Sequence, residues 1–269
     1  SLIYLLYYLF FNMIEHKLLF NHLVNNLYEK KQNLSFLQIG TMDGSTNDNM
    51  YHHIINKKMK GVLVEPIPYW FNKLKETYSS IDYVSFENAA VSGSDGEANM
   101  FYVDPEKTKR EKLPSWYNGH SSLLYQHAPG NLWGVKDSSS RIKVNTVALD
   151  TLIEKHNVEE VDIYFSDCEG YDMNIIKQLD FDRFKPAIIN IESNKLTEGD
   201  IRWYEDTLKR NNYDYINFFF PSESHNKNSN YTATKTYVKN TVNLSDNQIK
   251  NGIDWLAWNK DSMSVIFSL

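Results

Sequence analysis

The stretch LSFLQIGTMDGST, from Leu34 to Thr46, decides the fold of this chain. Its apolar part, Leu34–Ile39, predicts a short buried strand. A turn bounded by Gly40 and Gly44 follows, and Ser45–Met59 is predicted to form the next helix. A parallel strand that passes through a glycine turn into a helix presents backbone N–H groups to a ligand at the carboxyl edge of the sheet. Taken alone, the turn is equally consistent with a tight connection between a strand and a helix.

The residues around this turn narrow the class of ligand. The pattern Gly-x-x-Asp-Gly is neither Gly-x-Gly-x-x-Gly nor a P-loop, which weighs against a dinucleotide or a triphosphate. A second apolar strand, Gly61–Glu65, ends in an acid that is typical of ribose binding; a helix-capping or solvated Glu is the alternative. The Asp43 carboxylate would repel a pyrophosphate and attract the amino group of a cationic nucleoside. S-adenosylmethionine therefore fits better than NAD or ATP.

Length and composition limit the functions of the chain. Its 269 residues predict one α/β domain with additions. The formal net charge of −6 disfavours broad electrostatic binding to nucleic acid, without excluding a local basic groove. The single cysteine, Cys168, rules out an internal disulfide and fits a reducing compartment, so we expect a cytoplasmic protein.

Residues 1–31 are predicted as a helical extension that precedes a main domain at 32–269. The apolar run Leu2–Phe11 is too short to span a bilayer, which needs about 20 residues, and it lacks the flanks of a signal peptide. Helical spacing of apolar residues continues through Asn12–Lys31. We expect one or two helices packed on the domain or on a partner subunit, so a homo-oligomer through these helices is a candidate assembly. A helix on a membrane surface is the alternative, although its polar face is not strongly basic.

The rest of the chain alternates strand and helix patterns, which predicts a parallel sheet with helices on both faces. Glu97–Val103 is predicted as an antiparallel addition, because Asp95-Gly96 is a hairpin signal. The further predicted strands are Asp82–Ala90, Ile142–Val147, Val161–Asp167, Pro186–Glu192, Tyr213–Phe220 and Trp255–Asn259. The further predicted helices are Pro68–Ser79, Ala148–His156, Asp172–Leu179 and Asp200–Arg210.

A long irregular segment, Asp104–Arg141, interrupts this alternation. It contains prolines, glycines, aromatic residues such as Trp116 and Trp133, and the histidines His120 and His127. A loop of this length in a compact domain is usually functional or disordered, and its aromatic residues weigh against plain disorder. We interpret the segment as a lid insertion over the ligand. A surface excursion with its own aromatic cluster is the alternative.

Five short motifs occur in a fixed order along the chain. They are Ile39-Gly40-Thr41-Met42-Asp43-Gly44, Val64-Glu65-Pro66, Asn88-Ala89-Ala90-Val91-Ser92, Leu149-Asp150-Thr151-Leu152 and Asp167-Cys168-Glu169-Gly170-Tyr171-Asp172. Together they resemble the FkbM family of S-adenosylmethionine-dependent methyltransferases, over roughly Leu34–Glu192. The resemblance implies an α/β, Rossmann-like, seven-strand class I methyltransferase sheet with a reversed hairpin at its C-terminal end. It also implies O-methylation of hydroxyls on sugars, polyketides or glycolipids.

The resemblance also implies which residues bind the methyl donor. They are Gly40, Asp43 and Gly44 in the glycine loop, Glu65 and Pro66 at the ribose, Asn88 and Ala89 beside the adenine, Ser121 and Ser122 in a segment like Gly-x-Ser-Ser, and Asp167 in an Asp-x-Glu-Gly motif. One departure is Ser166, which stands where the family tends to have a Lys-Ile pair before the aspartate. Any role of that lysine is therefore absent here, and the helical extension is not a hallmark of the family.

Methyl transfer to a hydroxyl needs in-line positioning, and it needs the proton removed or the oxygen polarised. His120 and His127 are the candidate bases, because they lie in the predicted lid and histidine titrates near neutrality; a surface or packing role is the alternative for each. Asp167 is the third candidate catalytic residue. With Glu192, which ends another strand, it is also a candidate ligand of a divalent metal such as Mg²⁺. In the alternatives, Asp167 only orders its loop or contacts the donor, and Glu169 only caps the next helix.

The leading prediction is an S-adenosylmethionine-dependent O-methyltransferase acting on a small-molecule or glycan hydroxyl. One rival is a catalytically inactive nucleoside-binding module in a larger assembly, which the missing lysine favours. The other is a nucleic-acid methyltransferase, which would need a basic channel with stacking aromatics. Basic residues cluster only at Lys107–Lys112, which disfavours a nucleic-acid partner.

Overall fold

The computed structural model describes residues 16–112, 115–127, 139–193, 195–218, 237–238 and 254–259. The predicted apolar run Leu2–Phe11, Trp133 and the lid residues 113–114 and 128–138 lie outside these ranges. The helices are α1 (His16–Lys30), α2 (Tyr51–Lys57), α3 (Pro68–Thr77), α4 (Pro105–Glu111), α5 (Leu149–Lys155), α6 (Asp172–Ile176) and α7 (Glu198–Arg210), with 3₁₀ turns at Ser115–Gly119 and Tyr125–His127. The strands are β1 (Ser35–Ile39), β2 (Lys60–Val64), β3 (Val84–Glu87), β4 (Ala90–Ser92), β5 (Gly96–Val103), β6 (Ser121–Ser122), β7 (Ser139–Ala148), β8 (Ile163–Ser166), β9 (Ile188–Glu192), β10 (Tyr213–Phe218), β11 (Tyr237–Val238) and β12 (Asp254–Asn259).

The main sheet has the strand order β11-β10-β12-β9-β8-β1-β2-β3. Strands β3, β2, β1, β8 and β9 are parallel, and β12 lies antiparallel between β9 and β10. The order reverses between β1 and β8, which is the switch point at which open α/β sheets bind ligands. The predicted α/β fold with a parallel sheet, helices and a reversed terminal hairpin is confirmed. The two-residue strand β11 extends the seven predicted strands to eight.

Both faces of this sheet are apolar, because successive side chains of a strand point to opposite faces. In β1 the alternation places Phe36 in the core of one face and Leu37 and Ile39 in the core of the other. All three are almost completely buried. The sheet therefore needs a helical layer on each side.

Helices α1, α2 and α3 cover one face and helices α5, α6 and α7 cover the other. Phe20, Ile54 and Leu74 represent the first layer in one core, and Leu152 and Tyr204 represent the second layer in the other. Helix α7 begins at a capping box, in which Thr197 and Asp200 exchange side-chain to backbone hydrogen bonds.

The described part of the N-terminal extension, α1, packs on the domain's own sheet. Phe20, Leu23 and Val24 are fully buried there. Asn21 Oδ1 lies 2.7 Å from Nε2 of the α2 residue His53, and burial lowers the pKa of His53 to about 4. No helix among the described residues is long and apolar enough to cross a bilayer.

A second sheet, with the order β4-β7-β5-β6, joins the edge of the domain. The predicted antiparallel strand is present as β5, but the predicted hairpin at Asp95-Gly96 is wrong. Strand β5 pairs antiparallel with β7, whereas β4 pairs parallel with the other edge of β7. The Asp95 carboxylate explains this arrangement, because it accepts hydrogen bonds from the Ala148 N–H at 2.8 Å and the Thr151 hydroxyl at 3.0 Å.

The predicted strand Asp82–Ala90 is divided between the two sheets. Its first part is β3 and its last residue begins β4. The Asn88 side-chain amide donates to the carbonyl oxygens of Glu65 and Pro66, at 2.8 and 3.2 Å. These hydrogen bonds hold the chain at the point where it leaves one sheet for the other.

The predicted helix Ser45–Met59 begins only at Tyr51, as α2. The Asp43 carboxylate accepts hydrogen bonds from the Ser45 N–H, and Asp48 accepts one from the Met50 N–H at 2.6 Å. Aspartate side chains that bind nearby backbone donors compete with helix formation. The segment before α2 is therefore a series of turns.

The packing of α1 predicts the effect of shortening one side chain. Phe20→Ala should lower the free energy of unfolding by about 3–5 kcal/mol, because the ring is fully buried and packs edge-on against Phe165 at 5.7 Å between centroids. Urea denaturation measures this change. The exposed residue Asn25 on the same helix gives the control, since Asn25→Ala should stay within about 0.5 kcal/mol of the wild type. Equal small effects of both substitutions would contradict a core role for α1.

Candidate active site

A cavity opens at the carboxyl ends of β1, β2 and β8, at the switch point of the main sheet. The space between its walls measures about 400 Å³ when the open solvent at its mouth is included, and the part that could hold water-sized molecules is about 30 Å³. The predicted site residues that line it are Gly40, Glu65, Pro66, Ala89, Ser121 and Asp167. The predicted donor residues outside this lining are Asp43, Gly44, Asn88 and Ser122.

Gly40 is required by the closeness of two loops. Its φ is +81°, in the region that favours glycine, and a Cβ at this position would lie 2.0 Å from the carbonyl oxygen of Asp167. Gly40 and Thr41 both donate their N–H groups to the carbonyl of Val64, at 2.9 and 3.2 Å. The turn after β1 is therefore in close contact with the loop after β8 and with the end of β2.

Asp43 and Gly44 have structural contacts away from the cavity lining. The Asp43 carboxylate accepts from the N–H groups of Ser45 and Thr46, at 2.9 and 2.7 Å, and from the Thr46 hydroxyl at 2.6 Å. Burial opposes ionisation of Asp43, but these hydrogen bonds outweigh it and lower its pKa. A Cβ on Gly44 would clash with Leu74 of α3, so this glycine allows close helix packing. The Gly-x-x-Asp-Gly pattern alone does not distinguish these structural roles from binding of the methyl donor.

Glu65 is buried at the cavity, with both carboxyl oxygens in hydrogen bonds to the backbone. Oε2 accepts from the N–H of Met42 and Oε1 from the N–H of Ile67, each at 2.8 Å. Only 4% of the residue is exposed, which excludes the solvated alternative. Burial raises the pKa of Glu65 to about 8. This carboxyl group therefore joins the glycine turn to the chain that follows β2.

Ser122 supports the site from outside the lining. Its hydroxyl donates to the carbonyl of Glu169 at 3.0 Å and accepts from the N–H of Leu124 at 3.2 Å. Its neighbour Ser121 lines the cavity. The pair of serines therefore fixes residues 120–124 against the loop after β8.

The buried carboxyl group of Asp172 binds two other residues and stabilises the loop after β8. Asp172 accepts from the Ser166 hydroxyl at 2.6 Å and from the Cys168 N–H at 3.2 Å. Burial raises the pKa of Asp172 to about 6. Ser166, which departs from the expected Lys-Ile pair, thus has a structural role. Desolvation of the partly buried Cys168 thiol, with the nearby charge of Asp172, raises its pKa well above the usual value, so it is not an activated nucleophile.

Glu169 has a left-handed backbone, with a φ of +51°, and Gly170 follows at +92°. A non-glycine residue in this region costs about 1–2 kcal/mol, and such strain is concentrated at functional sites. A Cβ on Gly170 would lie 2.3 Å from Nδ1 of His127, so the His127 ring packs directly on this loop. His127 Nδ1 is buried without a hydrogen-bond partner among the described residues, and burial together with the Lys195 charge lowers the pKa of His127.

The Glu169 carboxylate joins a histidine and a lysine. Its Oε1 lies 2.7 Å from Nδ1 of His120, and its Oε2 contacts Nζ of Lys195. Burial opposes ionisation of Glu169, but the hydrogen bond from His120 and the charge of Lys195 outweigh it and lower its pKa. Glu169 is thus an ionised acceptor that fixes the orientation of the His120 ring. The helix-capping alternative for Glu169 is wrong, because these contacts occupy both oxygens and α6 has no side-chain cap.

Three carboxyl groups meet at the strand ends. Oxygen atoms of Asp167, Glu169 and Glu192 all lie within 4.8 Å of one another, so the predicted pair Asp167 and Glu192 is brought together with Glu169 as a third member. Lys195 Nζ lies 3.3 Å from Oε1 of Glu192. Burial, with the nearby charges of Glu169 and Asp167, holds the pKa of Glu192 well above its usual range.

Lys195 is a site residue that the sequence motifs did not predict. It lies just after β9 and outside the five motifs, and its only signal is its position three residues after the strand-end acid Glu192. Burial would lower the pKa of this lysine, but the negative charges of Glu192 and Glu169 raise it above its usual value. Lys195 is therefore a cation at the centre of the acidic group.

A sequence profile of the methyltransferase FkbM domain matches residues 38–216, which is more than half of the chain. The chain belongs to the FkbM methyltransferase family. The cavity and the carboxyl groups described above lie within the matched residues, so they form the candidate active site of an FkbM methyltransferase. No curated protein sequence matches the chain.

Solved methyltransferase structures show a distant likeness. The methyltransferase FkbM from Methylobacillus flagellatus KT shares 10% identity at a TM-score of 0.40; the match covers 66% of this chain but only 37% of that protein. The precorrin-6y C5,15-methyltransferase from Geobacter metallireducens GS-15 shares 12% identity at a TM-score of 0.37, covering 92% of this chain and 90% of that one. The human methyltransferase 10 domain containing protein shares 10% identity at a TM-score of 0.41, covering 90% and 81%. The family assignment rests on the profile match and not on these TM-scores.

The raised pKa of Glu65 predicts how donor affinity depends on pH in this FkbM domain, if Glu65 binds the donor ribose. Below about pH 8 the free carboxyl group is mostly protonated, and ribose hydroxyls donate best to its ionised form. Affinity for S-adenosylhomocysteine should therefore increase as the pH rises from 6.5 towards 8.5 and then level off. Calorimetry in buffers of different ionisation enthalpy measures both the affinity and the proton released.

Glu65→Gln is the control for this measurement. It should weaken binding by about 1–3 kcal/mol, because it removes charge-assisted hydrogen bonds. Any pH dependence that remains in Glu65→Gln belongs to other groups of the protein or the ligand. A wild-type profile that matches the variant would remove Glu65 from the ribose site.

Proposed function

We propose that this FkbM methyltransferase transfers the methyl group of S-adenosylmethionine to a hydroxyl oxygen of a sugar, glycan or natural-product acceptor. The observation that carries the proposal is the His120–Glu169 pair, with 2.7 Å between Nδ1 and Oε1. Glu169 belongs to the loop that also supplies Asp167 to the cavity. A histidine oriented by an ionised carboxylate is a typical general base.

The proposed base acts through the other nitrogen of the ring. With Nδ1 bound to Glu169, His120 would take the hydroxyl proton on Nε2. The acceptor oxygen forms a bond to the methyl carbon as the carbon–sulfur bond breaks, and the electron pair of that bond stays on sulfur. Glu169 stabilises the imidazolium that results. General-base catalysis of this kind contributes about 10²–10⁴-fold in rate.

We propose that the donor occupies the cavity between Gly40 and Asp167. Glu65 would accept hydrogen bonds from the ribose, and Ala89 and Pro66 would pack beside the nucleoside, as the family motifs imply. Asp43, Gly44, Asn88 and Ser122 would shape the walls from behind, which is consistent with their contacts to backbone and to α3.

The segment 104–141 is proposed to act as a lid over the donor and to help select the acceptor. In support, Ser121 lines the cavity, His120 contacts Glu169 and the His127 ring packs on Gly170. Lids of this kind exclude water from the reacting groups. Trp133 and the side chain of Trp116 lie outside the described part of the segment.

A divalent cation such as Mg²⁺ at Asp167 and Glu192 is a further component of the proposal. Carboxylate oxygens are the ligands that Mg²⁺ prefers, and these two groups lie with Glu169 in one cluster. The cation would polarise the acceptor hydroxyl and assist His120 in removing its proton.

The same contacts weigh against the rival functions. A module that only binds a nucleoside has no need of a strained Glu169 that holds a histidine. Two basic residues of α4 are paired with acids of the same helix, Lys109 with Glu106 at 2.8 Å and Arg110 with Glu111 at 3.6 Å, which reduces the positive charge that this helix offers to a nucleic acid. We therefore propose a small-molecule or glycan acceptor. A cytoplasmic location, from the single cysteine, and a homo-oligomer through the N-terminal helices also stay proposals.

The proposal predicts that a histidine variant loses turnover but keeps its affinity for the donor. His120→Gln should lower kcat about 10²–10⁴-fold and leave the affinity for S-adenosylhomocysteine nearly unchanged, because His120 is outside the cavity lining. The measurement is formation of S-adenosylhomocysteine with a panel of sugars and natural-product alcohols.

His156→Gln is the matched control, since His156 also binds a glutamate, Glu87, at 2.8 Å, but not at the cavity. Normal turnover in His120→Gln with an accepted alcohol would refute the assigned base. Donor binding without turnover on any hydroxyl or nucleic-acid acceptor would favour the inactive module, and methylation of RNA or DNA alone would favour the nucleic-acid enzyme.

A further inference from the structure

The oxygen atoms of Asp167, Glu169 and Glu192 form a group with the dimensions of one coordination sphere. They lie within 4.8 Å of one another. Ligand oxygens on opposite sides of a cation are separated by twice the metal–oxygen distance, which is about 4.2 Å for Mg²⁺ and about 5 Å for Ca²⁺. A single hard cation can therefore contact all three carboxyl groups without a large rearrangement.

An unpartnered atom in this group points to a cationic ligand. Glu192 is 7% exposed, and its Oε2 is buried without a hydrogen-bond partner among the residues that the structure describes. A buried polar atom without a partner costs about 1–3 kcal/mol, and a charged one costs more. A cation bound between Glu192 and its two neighbours would remove this penalty.

Lys195 supplies one positive charge to the same atoms. Its Nζ contacts Oε2 of Glu169 and lies 3.3 Å from Oε1 of Glu192, and its side chain is 11% exposed. One ammonium group carries less charge than a divalent cation, and it leaves Oε2 of Glu192 without a hydrogen-bond partner among the described residues. A lysine carries its charge on a flexible four-carbon stem, so this group can withdraw without moving the backbone.

We propose that Asp167, Glu169 and Glu192 bind one divalent cation of the Mg²⁺ class, and that Lys195 is a built-in competitor which the cation displaces. Glu169 would serve two partners at once: Oε1 holds His120, and Oε2 becomes available to the cation when Lys195 leaves. The catalytic consequence rests on the proposed function, because the cation would polarise the acceptor hydroxyl beside His120. Lys195 would then set the cation concentration at which transfer becomes efficient.

The experiment is a titration of the full chain with Mn²⁺, without donor or acceptor, in which electron paramagnetic resonance counts the free ion. We expect one saturable site in the wild type, from which Mg²⁺ displaces the Mn²⁺. Lys195→Met should bind Mn²⁺ about tenfold more tightly or better, because the competing charge is gone. Glu192→Gln should bind about tenfold less tightly or worse. Asp167→Asn, at an exposed position, replaces Glu192→Gln if that variant does not fold.

Lys155→Met is the matched control, because Lys155 also pairs with a largely buried glutamate, Glu87, but away from the cluster. It should leave the Mn²⁺ affinity unchanged. Absence of saturable binding in both the wild type and Lys195→Met would overturn the cation site. Equal affinities in those two proteins would overturn the competitor role of Lys195.

The same preparations separate this inference from the proposed function. A chain that binds Mn²⁺ as expected but methylates no hydroxyl keeps the cation site and loses the proposed function. A chain that methylates hydroxyls equally well after treatment with a chelator, and binds no Mn²⁺, keeps the proposed methyl transfer and loses the cation site.

Discussion

The contact between Gly40 and the carbonyl oxygen of Asp167 is the constraint on which the rest of the site depends. Strands β1 and β8 are neighbours in register, with Ile39 opposite Ser166, so the loops that leave them start side by side. There is no room for a side chain between these loops. Because they touch, a donor bound at the first loop, as proposed, would lie next to the carboxyl groups carried by the second. Any larger residue at position 40 would separate the two halves of the site.

The loop after β8 keeps an unfavourable backbone conformation at Glu169, because side chains on both sides of this residue bind the loop. Glu169 in the left-handed region costs about 1–2 kcal/mol. Hydrogen bonds from Ser166 and Cys168 to Asp172, and from Ser122 to the Glu169 carbonyl, offset this cost. The strained residue therefore lies in a rigid loop, which holds the Glu169 carboxylate against His120 and Lys195. Such rigidity suits a reaction that depends on positioning.

Much of the fold follows from period and order in the sequence. The alternation in β1, the strand-end acids and the succession of strands and helices predict the parallel sheet and the meeting of Asp167 with Glu192. The reversed hairpin is implied by the resemblance to the FkbM family. The errors occur where a side chain binds nearby backbone. The Asp43 carboxylate binds a backbone N–H in the turns before α2, so the helix begins later than predicted. Asn88 holds the chain where it passes from one sheet to the other. The helix and strand propensities of single residues do not take these hydrogen bonds into account. Lys195 could not be predicted for another reason, since its importance arises only when the distant acids Asp167 and Glu169 fold beside it and Glu192.

Because α1 covers one face of the sheet, the segment that matches the family is shorter than the segment that folds as one unit. The family match begins at residue 38, yet Phe20, Leu23 and Val24 fill the core on one face of the sheet. A fragment cut at the family boundary would expose Leu63, Ile163 and their neighbours as a continuous apolar surface, of the kind that drives association. The extension is therefore a structural part of the methyltransferase sheet's core, and a boundary drawn by homology alone would divide a single hydrophobic core.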